Sequence, residues 1–346
     1  GQTFPNLYAL RGTSFRDPMI WVDGIDYIRR MEPETLIPHH GIPVSGADEV
    51  EDVLSAYRDS IQYLHDQTVR RMNQGYTSEE IRDEIVMPDH LAKHEWLGEF
   101  YGSYKHSAPA IYDGYIGWFD GDPVHLDPKP RSERAASYVE LMGGRDQLLS
   151  KARTAFENED YQWAAEIVTW IIKSNVADAE ARHLKADALR LWAYGQKNIT
   201  WRNWALTASL ELEGKLKQPK GLPFGGPDAI RNFPSKSLIR LLTVRLRAED
   251  CKNLEMTTTF NITDTTEICA LQIRRGVCQF HPDVPKSENI RISCERNFLT
   301  RVFLGQTSFQ DGISDESVLI DGNQEDFNHF MSLFEQPNLD QAITAR

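Results

Sequence analysis

The sequence lacks the long apolar runs and the short motifs that identify many classes of protein. None of its apolar runs approaches the roughly 18 residues that a membrane-spanning helix needs, so we expect no transmembrane segment. It contains no G-x-S-x-G, P-loop, G-x-G-x-x-G or H-x-H-x-D-H motif, and composition and spacing alone therefore identify no enzyme. The first residues, GQTFPNLYALRG, lack the basic and then apolar pattern of a signal peptide.

Positive charge and cysteine are also scarce. A formal net charge of −13 argues against a nucleic acid or an anionic membrane surface as the main partner. The spacing of the four cysteines, Cys251, Cys269, Cys278 and Cys294, fits no C-x-x-C metal knuckle. Two disulfides and four buried thiols are both compatible with this spacing, and the usual burial of free cysteine favours the thiols.

The length and the uneven distribution of residue types predict several domains. A chain of 346 residues is too long for one ordinary core. All eight tryptophans lie at or before Trp204, whereas the cysteines lie in the last third, which places a boundary near residue 220. The segment GKLKQPKGLPFGGPD has the composition of a linker, and we assign the linker to residues 214–232.

Residues 1–46 have the pattern of the tail of an α/β domain. We predict a strand over 6–12, a helix within 16–31 and a second strand over 34–41. One strand–helix–strand unit cannot bury a sheet by itself, so we expect the beginning of this domain to lie elsewhere.

Residues 47–142 are predicted to form a helical extension. Apolar residues recur at helical spacing over 47–75, and a glycine follows the last of them. Thr77 and Glu80 have the spacing of a capping box. Further helices are predicted over 88–102 and 129–144, with an aromatic and glycine-rich segment, PAIYDGYIGWFDGDP, between them.

The remaining two regions differ in class. Residues 143–213 are predicted to be all-helical, with small residues at the helix crossings, as in a tetratricopeptide-like (TPR-like) pair. Residues 233–346 alternate strands and helices, with Arg275-Gly276 as a hairpin turn. Such an α+β domain encloses either an apolar cavity for a lipid-like ligand or a solid core.

Few residues suggest chemistry by their position alone. His39 and His40, in LIPHHGIP, follow a predicted strand, where α/β folds place ligands, but no partner ligands are evident. Arg11, in LRG, has a guanidinium suited to an oxyanion or to a structural ion pair. His90 and His94 do not have the H-E-x-x-H order and are expected on the surface.

Several motifs together resemble the alkyl sulfatases of the metallo-β-lactamase superfamily. They are NLYALRG, HH, YLHDQTVRRMNQGYTSEEI, GWFDGDP, YVELMGG, AFENEDYQWAAEI and WRNWALTASLELEG, in this order. The resemblance covers nearly the whole chain. It implies a multidomain α+β protein that combines the tail of a metallo-β-lactamase αββα domain, an all-α (TPR-like) dimerisation domain and an α+β domain similar to sterol carrier protein 2 (SCP2-like).

The resemblance also implies an activity. Members of the family hydrolyse alkyl sulfate esters such as dodecyl sulfate, using two zinc ions (Zn2+) and a metal-activated water. Arg11 would then be a catalytic ligand of the sulfate oxyanion, and one of His39 and His40 would be a zinc ligand. His106 and Tyr115 would be catalytic and substrate-binding residues of the pocket, and Tyr101 a further substrate-binding residue.

Parts of the family pattern are missing or altered. The H-x-H-x-D-H motif and two metal-binding glutamates would precede Gly1, so we expect an N-terminal partner polypeptide that carries them. HHGIPVSG and Ser107 depart from the family's usual residues, which puts the shape of the pocket in doubt. The implied assembly is a homodimer. The alternative is a catalytically silent fragment that binds amphiphiles or dimerises.

The compartment is indicated only by general features. Two N-x-T tripeptides, beginning at Asn198 and Asn261, are compatible with a secretory route. Together with the acidic charge they favour a secreted or periplasmic location.

Overall fold

The computed structural model describes residues 2–8, 10, 12, 14–216, 227–251 and 253–335. The described residues up to Leu216 form one compact unit, and those from Pro227 to Glu335 form a second. None of the described helices is both long and apolar enough to cross a bilayer.

The first unit begins with two helices joined by a small hairpin. Helix α1 spans Pro18–Arg29, and the Asp17 side chain caps it by accepting a hydrogen bond from the Met19 N–H at 2.8 Å. Strands β1 (Thr35–Leu36) and β2 (Val44–Ser45) pair antiparallel, and helix α2 follows over Ala47–Met72. The predicted helices within 16–31 and 47–75 are therefore confirmed.

The strands predicted for the first 46 residues are mostly wrong. The described part of 6–12 forms no strand, because no described neighbour offers it a ladder of hydrogen bonds. The strand predicted over 34–41 stops at Leu36. Pro38 has no N–H to donate, and the chain then turns through Gly41, which has a φ of 101°.

Three shorter helices follow α2. Helix α3 spans Ser78–Glu84 and begins with the predicted capping box of Thr77 and Glu80. The helix predicted over 88–102 is only one turn long, as α4 (Asp89–Ala92). Helix α5 (Tyr104–Ile116) was not predicted, because its glycines and Pro109 suggested a loop.

The rest of the first unit is the predicted run of helices. Their bounds are α6 (Arg131–Leu141), α7 (Arg145–Glu157), α8 (Tyr161–Ser174), α9 (Ala179–Tyr194) and α10 (Ile199–Leu212). Alanines are fully buried between them, which lets the helix backbones approach closely, as expected from the sequence: Ala152, Ala164, Ala181, Ala186 and Ala188.

The second unit packs helices against a five-stranded sheet. Two short helices, α11 (Pro227–Asn232) and α12 (Ser235–Arg240), precede the sheet. The strand order is β5-β4-β3-β6-β7, in which β3 and β6 pair in parallel and the other neighbours pair antiparallel. The strands are β3 (Met256–Ile262), β4 (Glu267–Arg274), β5 (Val277–His281), β6 (Ile290–Cys294) and β7 (Val318–Asp321).

Most predictions for this unit are confirmed. The hairpin turns at Arg275 and Gly276, whose φ angles of 51° and 72° suit a tight β-hairpin. Residues 242–246 (LTVRL) have the composition of a strand, but a 3-10 helix over Leu241–Arg245 continues directly from α12, and Leu246 forms only an isolated β-bridge with Phe334. The remaining helices are α13 (Arg296–Phe303), α14 (Phe309–Ser314) and α15 (Gln324–Ser332), of which α14 was not predicted.

The region assigned to the linker is only partly described. Residues 217–226 lie outside the described residues, and α11 occupies 227–232. The last six residues of the assigned linker thus form a short helix, and Ile230 of this helix packs in the core of the second unit.

The core of the second unit contains all four cysteines as free, buried thiols, as the sequence favoured. Their neighbours are aliphatic and aromatic side chains such as Phe260 and Leu271. Burial raises the pKa of Cys269, Cys278 and Cys294 to about 12. These groups are therefore neutral thiols at pH 7, which makes them poor nucleophiles.

This burial predicts the reactivity of the thiols. In the native chain at pH 7, none of the four cysteines should react with a maleimide, and all four should react after unfolding in guanidinium. Mass spectrometry of the labelled protein measures both states. Fast labelling of the native chain would contradict the assignment. An increase in the mass of the unlabelled chain on reduction would also contradict it, because it would reveal a disulfide.

Candidate functional site

A groove of about 800 Å³ in the first unit is the main candidate for a binding site. Helices α3 and α5 and the loop after α5 form its walls. The lining combines charged, aromatic and small apolar residues: Tyr8, Phe15, Thr77, Ser78, Glu79, Arg82, Lys105, His106, Pro109, Ala110, Asp113, Gly114, Asp120 and Asp122. A groove with this mixture can hold a ligand that is charged at one end and apolar along the rest.

The charges in the groove are separated along α5. Asp83 pairs with Arg82 at 2.8 Å and with Lys105 at 3.9 Å, so both cations lie at the N-terminal end of α5. Asp113 lies seven residues beyond His106, about 10 Å further along the helix axis. The two cations of the groove therefore lie at the end that carries His106, where Glu79 and Asp83 pair with Arg82.

The start of α5 is held by a close backbone contact and by one amide side chain. A Cβ on Gly102 would lie 2.2 Å from the Pro5 carbonyl oxygen, so glycine is required at this position. The buried Asn198 amide donates to the carbonyl oxygens of Glu99, Tyr101 and Gly102 at 3.1–3.4 Å. Because Asn198 is also the N-cap of α10, it fixes α10 to the loop that precedes α5.

His106 is the predicted site residue that lines the groove. Its Nδ1 accepts a hydrogen bond from the Trp201 indole N–H at 3.0 Å. Its Nε2 is buried and has no partner among the described residues. Burial lowers the pKa of His106 to about 4, so the imidazole is neutral at pH 7.

Tyr115 lies elsewhere on α5. It is nine residues from His106, a spacing that places the two side chains on opposite sides of the helix. The Tyr115 hydroxyl is 2.7 Å from His65 Nε2, and His65 Nδ1 is 2.8 Å from the Asp66 carboxylate. An ionised Asp66 can only accept, so His65 donates to it from Nδ1. In the neutral imidazole, Nε2 then accepts a hydrogen bond from the Tyr115 hydroxyl.

The other predicted pocket residues are not brought to the groove. Tyr101 lies in the loop before α5; its N–H donates to Thr3 Oγ1 at 3.1 Å and its carbonyl accepts from Asn198. The groove is therefore lined by His106 but by neither Tyr101 nor Tyr115. Arg11 lies outside the described residues.

His39 and His40 lie in the turn between β1 and β2, where both are exposed and their rings meet edge to face at 4.7 Å. A protein zinc site uses three or four protein ligands. Within the described ranges, no three histidine, cysteine, aspartate or glutamate side chains are grouped so as to hold a metal. These two imidazoles alone therefore do not complete a zinc site.

The other pair of histidines considered from the sequence lies on and just after α4. His90 is exposed, as predicted, and His94 bonds to Asp52 at 3.0 Å.

Sequence reasoning missed the residues that act through His106 and Tyr115. Trp201 belongs to WRNW, and its 95-residue separation from His106 hides the contact. His65 and Asp66 appear in the sequence as ordinary positions of a long helix. Their only sequence signal is membership of the quoted motifs, which does not indicate a role.

Comparisons of the sequence with family profiles and with known proteins all find sulfatases. Residues 77–215 match the profile of the family described as alkyl sulfatase dimerisation, and residues 223–345 match that of the alkyl sulfatase C-terminal family. The whole chain is 39% identical over 355 aligned residues to a linear primary-alkylsulfatase of a Pseudomonas species, of which it covers 67%. It is 29% identical to the alkyl/aryl-sulfatase BDS1 of Saccharomyces cerevisiae, of which it covers 51%.

Solved structures give the same result. The stereoselective inverting sec-alkylsulfatase Pisa1 of a Pseudomonas species superimposes with a TM-score of 0.90 at 28% identity. The match covers 99% of this chain and 55% of that protein. The chain thus spans between about half and two thirds of the length of these relatives.

The neutral state of His106 predicts how stability depends on pH. The ordinary pKa is 6.5 and the folded value about 4, so as the pH falls the unfolded chain binds the proton first. Relative to a His106→Gln variant, the free energy of unfolding should be constant above about pH 7, fall as the pH drops through 6.5, and level off near pH 4. Urea unfolding of both proteins at a series of pH values measures this. A difference that is the same at every pH would contradict a buried neutral His106.

Proposed function

Because the chain belongs to the alkyl sulfatase family, we propose that it supplies the C-terminal part of an enzyme that hydrolyses alkyl sulfate esters to an alcohol and sulfate. The observation that carries this proposal is the groove beside His106. It combines hydrogen-bond donors at one end of α5 with apolar side chains along its wall. This arrangement suits a substrate with a sulfate head and an alkyl chain.

The side chains divide the binding work between the two parts of such a substrate. The His106 Nε2–H would donate to a sulfate oxygen, with Lys105 and Arg82 supplying positive charge at the same end. Phe15, Pro109 and Ala110 would contact the alkyl chain. The roles that the family resemblance implies for Tyr101 and Tyr115 would have to lie outside this groove, since neither side chain lines it.

We include zinc in the proposal, with one ligand from this chain and the others from a partner. When bound, zinc would supply an activated water for the attack on the ester. One of His39 and His40 would be a single ligand of that site. The other ligands would come from an N-terminal partner polypeptide that carries H-x-H-x-D-H. Arg11 would contact the sulfate oxyanion.

A second candidate function is supported by the exposure of the histidine pair. Since His39 and His40 have no third potential ligand near them among the described residues, the chain could serve without catalysis, binding amphiphiles or holding a dimer together. The two candidates differ in zinc content and in turnover.

A secreted or periplasmic location is part of the proposal, but the two tripeptides do not support it. The Asn198 side chain is 5% exposed and its amide donates to three carbonyl oxygens. The Asn261 amide donates to Ser293 Oγ at 3.1 Å. Both side chains are therefore occupied in the folded chain, and the acidic charge is the support that is left.

Activity measurements test the proposed function. With the chain completed by an H-x-H-x-D-H segment and loaded with zinc, release of sulfate from dodecyl sulfate should fall about 100- to 1000-fold in His106→Ala, the range for losing a donor to developing negative charge. His94→Ala is the matched control, because His94 lies on the turn after α4 and bonds to Asp52 instead. A completed protein without zinc or turnover would favour the silent alternative.

We also propose that the first unit forms a homodimer through the exposed apolar end of α6. The dimerisation profile covers this helix, which supports a second copy as the occupant. Tyr138, Leu141 and Met142 are 42%, 81% and 38% exposed, and Tyr138 packs edge to face on Trp170 at 4.8 Å. Such a row of apolar side chains gains free energy when a partner covers it.

Sedimentation velocity tests the proposed interface. Burying Leu141 contributes about 1.5–3 kcal/mol, so Leu141→Asp should weaken dimerisation by roughly tenfold or more. Val244→Asp is the control, since Val244 is 83% exposed in the second unit. Equal dimer affinity in the two variants would place the interface elsewhere.

A further inference from the structure

The position of Trp201 gives this tryptophan a role beyond packing. Trp201 lies in the first turn of α10, and its indole N–H points at the ring of His106 on α5. We propose that Trp201 fixes His106 in a single neutral tautomer, which presents its Nε2–H to an oxyanion in the groove. Trp201 is thus a positioning residue for the site, and the ligand class is a sulfate or another tetrahedral oxyanion.

The argument starts from the chemistry of the two rings. An indole N–H can only donate a hydrogen bond, so His106 Nδ1 must accept the 3.0 Å bond and carries no proton. The single proton of the neutral imidazole is then on Nε2. If Nδ1 were protonated, its N–H would face the indole N–H of Trp201, and neither could accept a hydrogen bond. The contact therefore also disfavours the imidazolium form of His106.

The local packing holds the indole in place. The Asn198 side chain accepts from the Trp201 backbone N–H at 3.2 Å as the N-cap of α10. The Trp192 ring stacks on that of Trp201, with centroids 6.3 Å apart and an angle of 18°. Asn198 also fixes the loop before α5, so the donor and the acceptor of the Trp201–His106 bond share one anchor.

The free nitrogen defines what the site can bind. Nε2 is buried without a partner among the described residues, and an unmade hydrogen bond of this kind is unfavourable until a ligand supplies an acceptor. Because His106 lines the groove, a ligand bound there is the candidate partner for Nε2. A neutral donor can approach an oxyanion without giving up its proton, so His106 acts by hydrogen bonding instead of by proton transfer.

The cations of the groove lie at the end of α5 that carries His106. The charged groups that line the groove together with His106 are Glu79, Arg82, Lys105, Asp113, Asp120 and Asp122. The two cations are joined through Asp83 near His106, whereas Asp113 lies further along α5. Burial, and none of these charges, accounts for the lowered pKa of His106.

The tautomer can be measured without any turnover, so its failure is distinguishable from failure of the proposed function on which the ligand class rests. In ¹⁵N-labelled full-length chain, long-range ¹H–¹⁵N spectra should show His106 as the neutral Nε2–H tautomer from pH 8 to pH 5, with a pKa of about 4. In Trp201→Phe, both neutral tautomers should be populated, because Nδ1 no longer accepts the indole hydrogen bond.

Trp192→Phe is the matched control, because it makes the same substitution in the same stack and leaves the His106 contact intact. A wild-type His106 that carries its proton on Nδ1 would overturn the proposal. It would also be overturned if Trp201→Phe and Trp192→Phe changed the tautomer equally, since the effect would then be one of packing.

Inorganic sulfate tests the ligand. Adding it to the wild-type chain should shift the His106 Nε2–H resonance, whereas chloride at the same ionic strength should not. In Trp201→Phe, at equal sulfate concentration, the shift should weaken in proportion to the fraction of His106 that has lost the Nε2–H tautomer. A resonance that does not respond to sulfate would overturn the assignment of an oxyanion site.

Discussion

The side-chain amide of Asn198 is the interaction on which the candidate site depends. Its oxygen caps α10 and its nitrogen bonds to three carbonyl groups in the loop before α5. These two elements are about a hundred residues apart in the chain, and each alone would leave unpaired backbone groups at its end. Together with the Ile199 N–H, which donates to the Phe100 carbonyl at 2.8 Å, this amide holds the start of α10, and so Trp201, against the loop that leads to His106.

The two faces of α5 have different surroundings and, in our proposal, different tasks. One face lines the groove and carries His106, whose buried imidazole is neutral. The other end of the helix carries Tyr115, which contacts His65 of α2, and His65 in turn contacts Asp66 of the same helix. A helix that was not predicted therefore carries both of the pocket residues that the family resemblance placed in this segment, and it separates them by about 13 Å along its axis.

Local signals in the sequence were sufficient for the elements with strong periodicity. The capping box at Thr77, the long helix α2 and the hairpin at Arg275-Gly276 follow from residues close together in the chain. Helix α5 was missed because Gly114 and Pro109 suggest a loop when read locally. In the fold, Gly114 is needed for space, since a Cβ there would lie 2.1 Å from the Phe15 ring. The Trp201–His106 bond could not be predicted, because no local pattern links residues 95 positions apart.

The distribution of the thiols has a practical consequence for later work on this protein. All four cysteines lie between 251 and 294 and are enclosed in the core of the second unit, while the first 250 residues contain none. A cysteine introduced on an exposed surface of the first unit would thus be the only accessible thiol there. Spin labels, fluorophores or cross-linkers could be attached at chosen positions of α5 or α6 without first removing any natural cysteine.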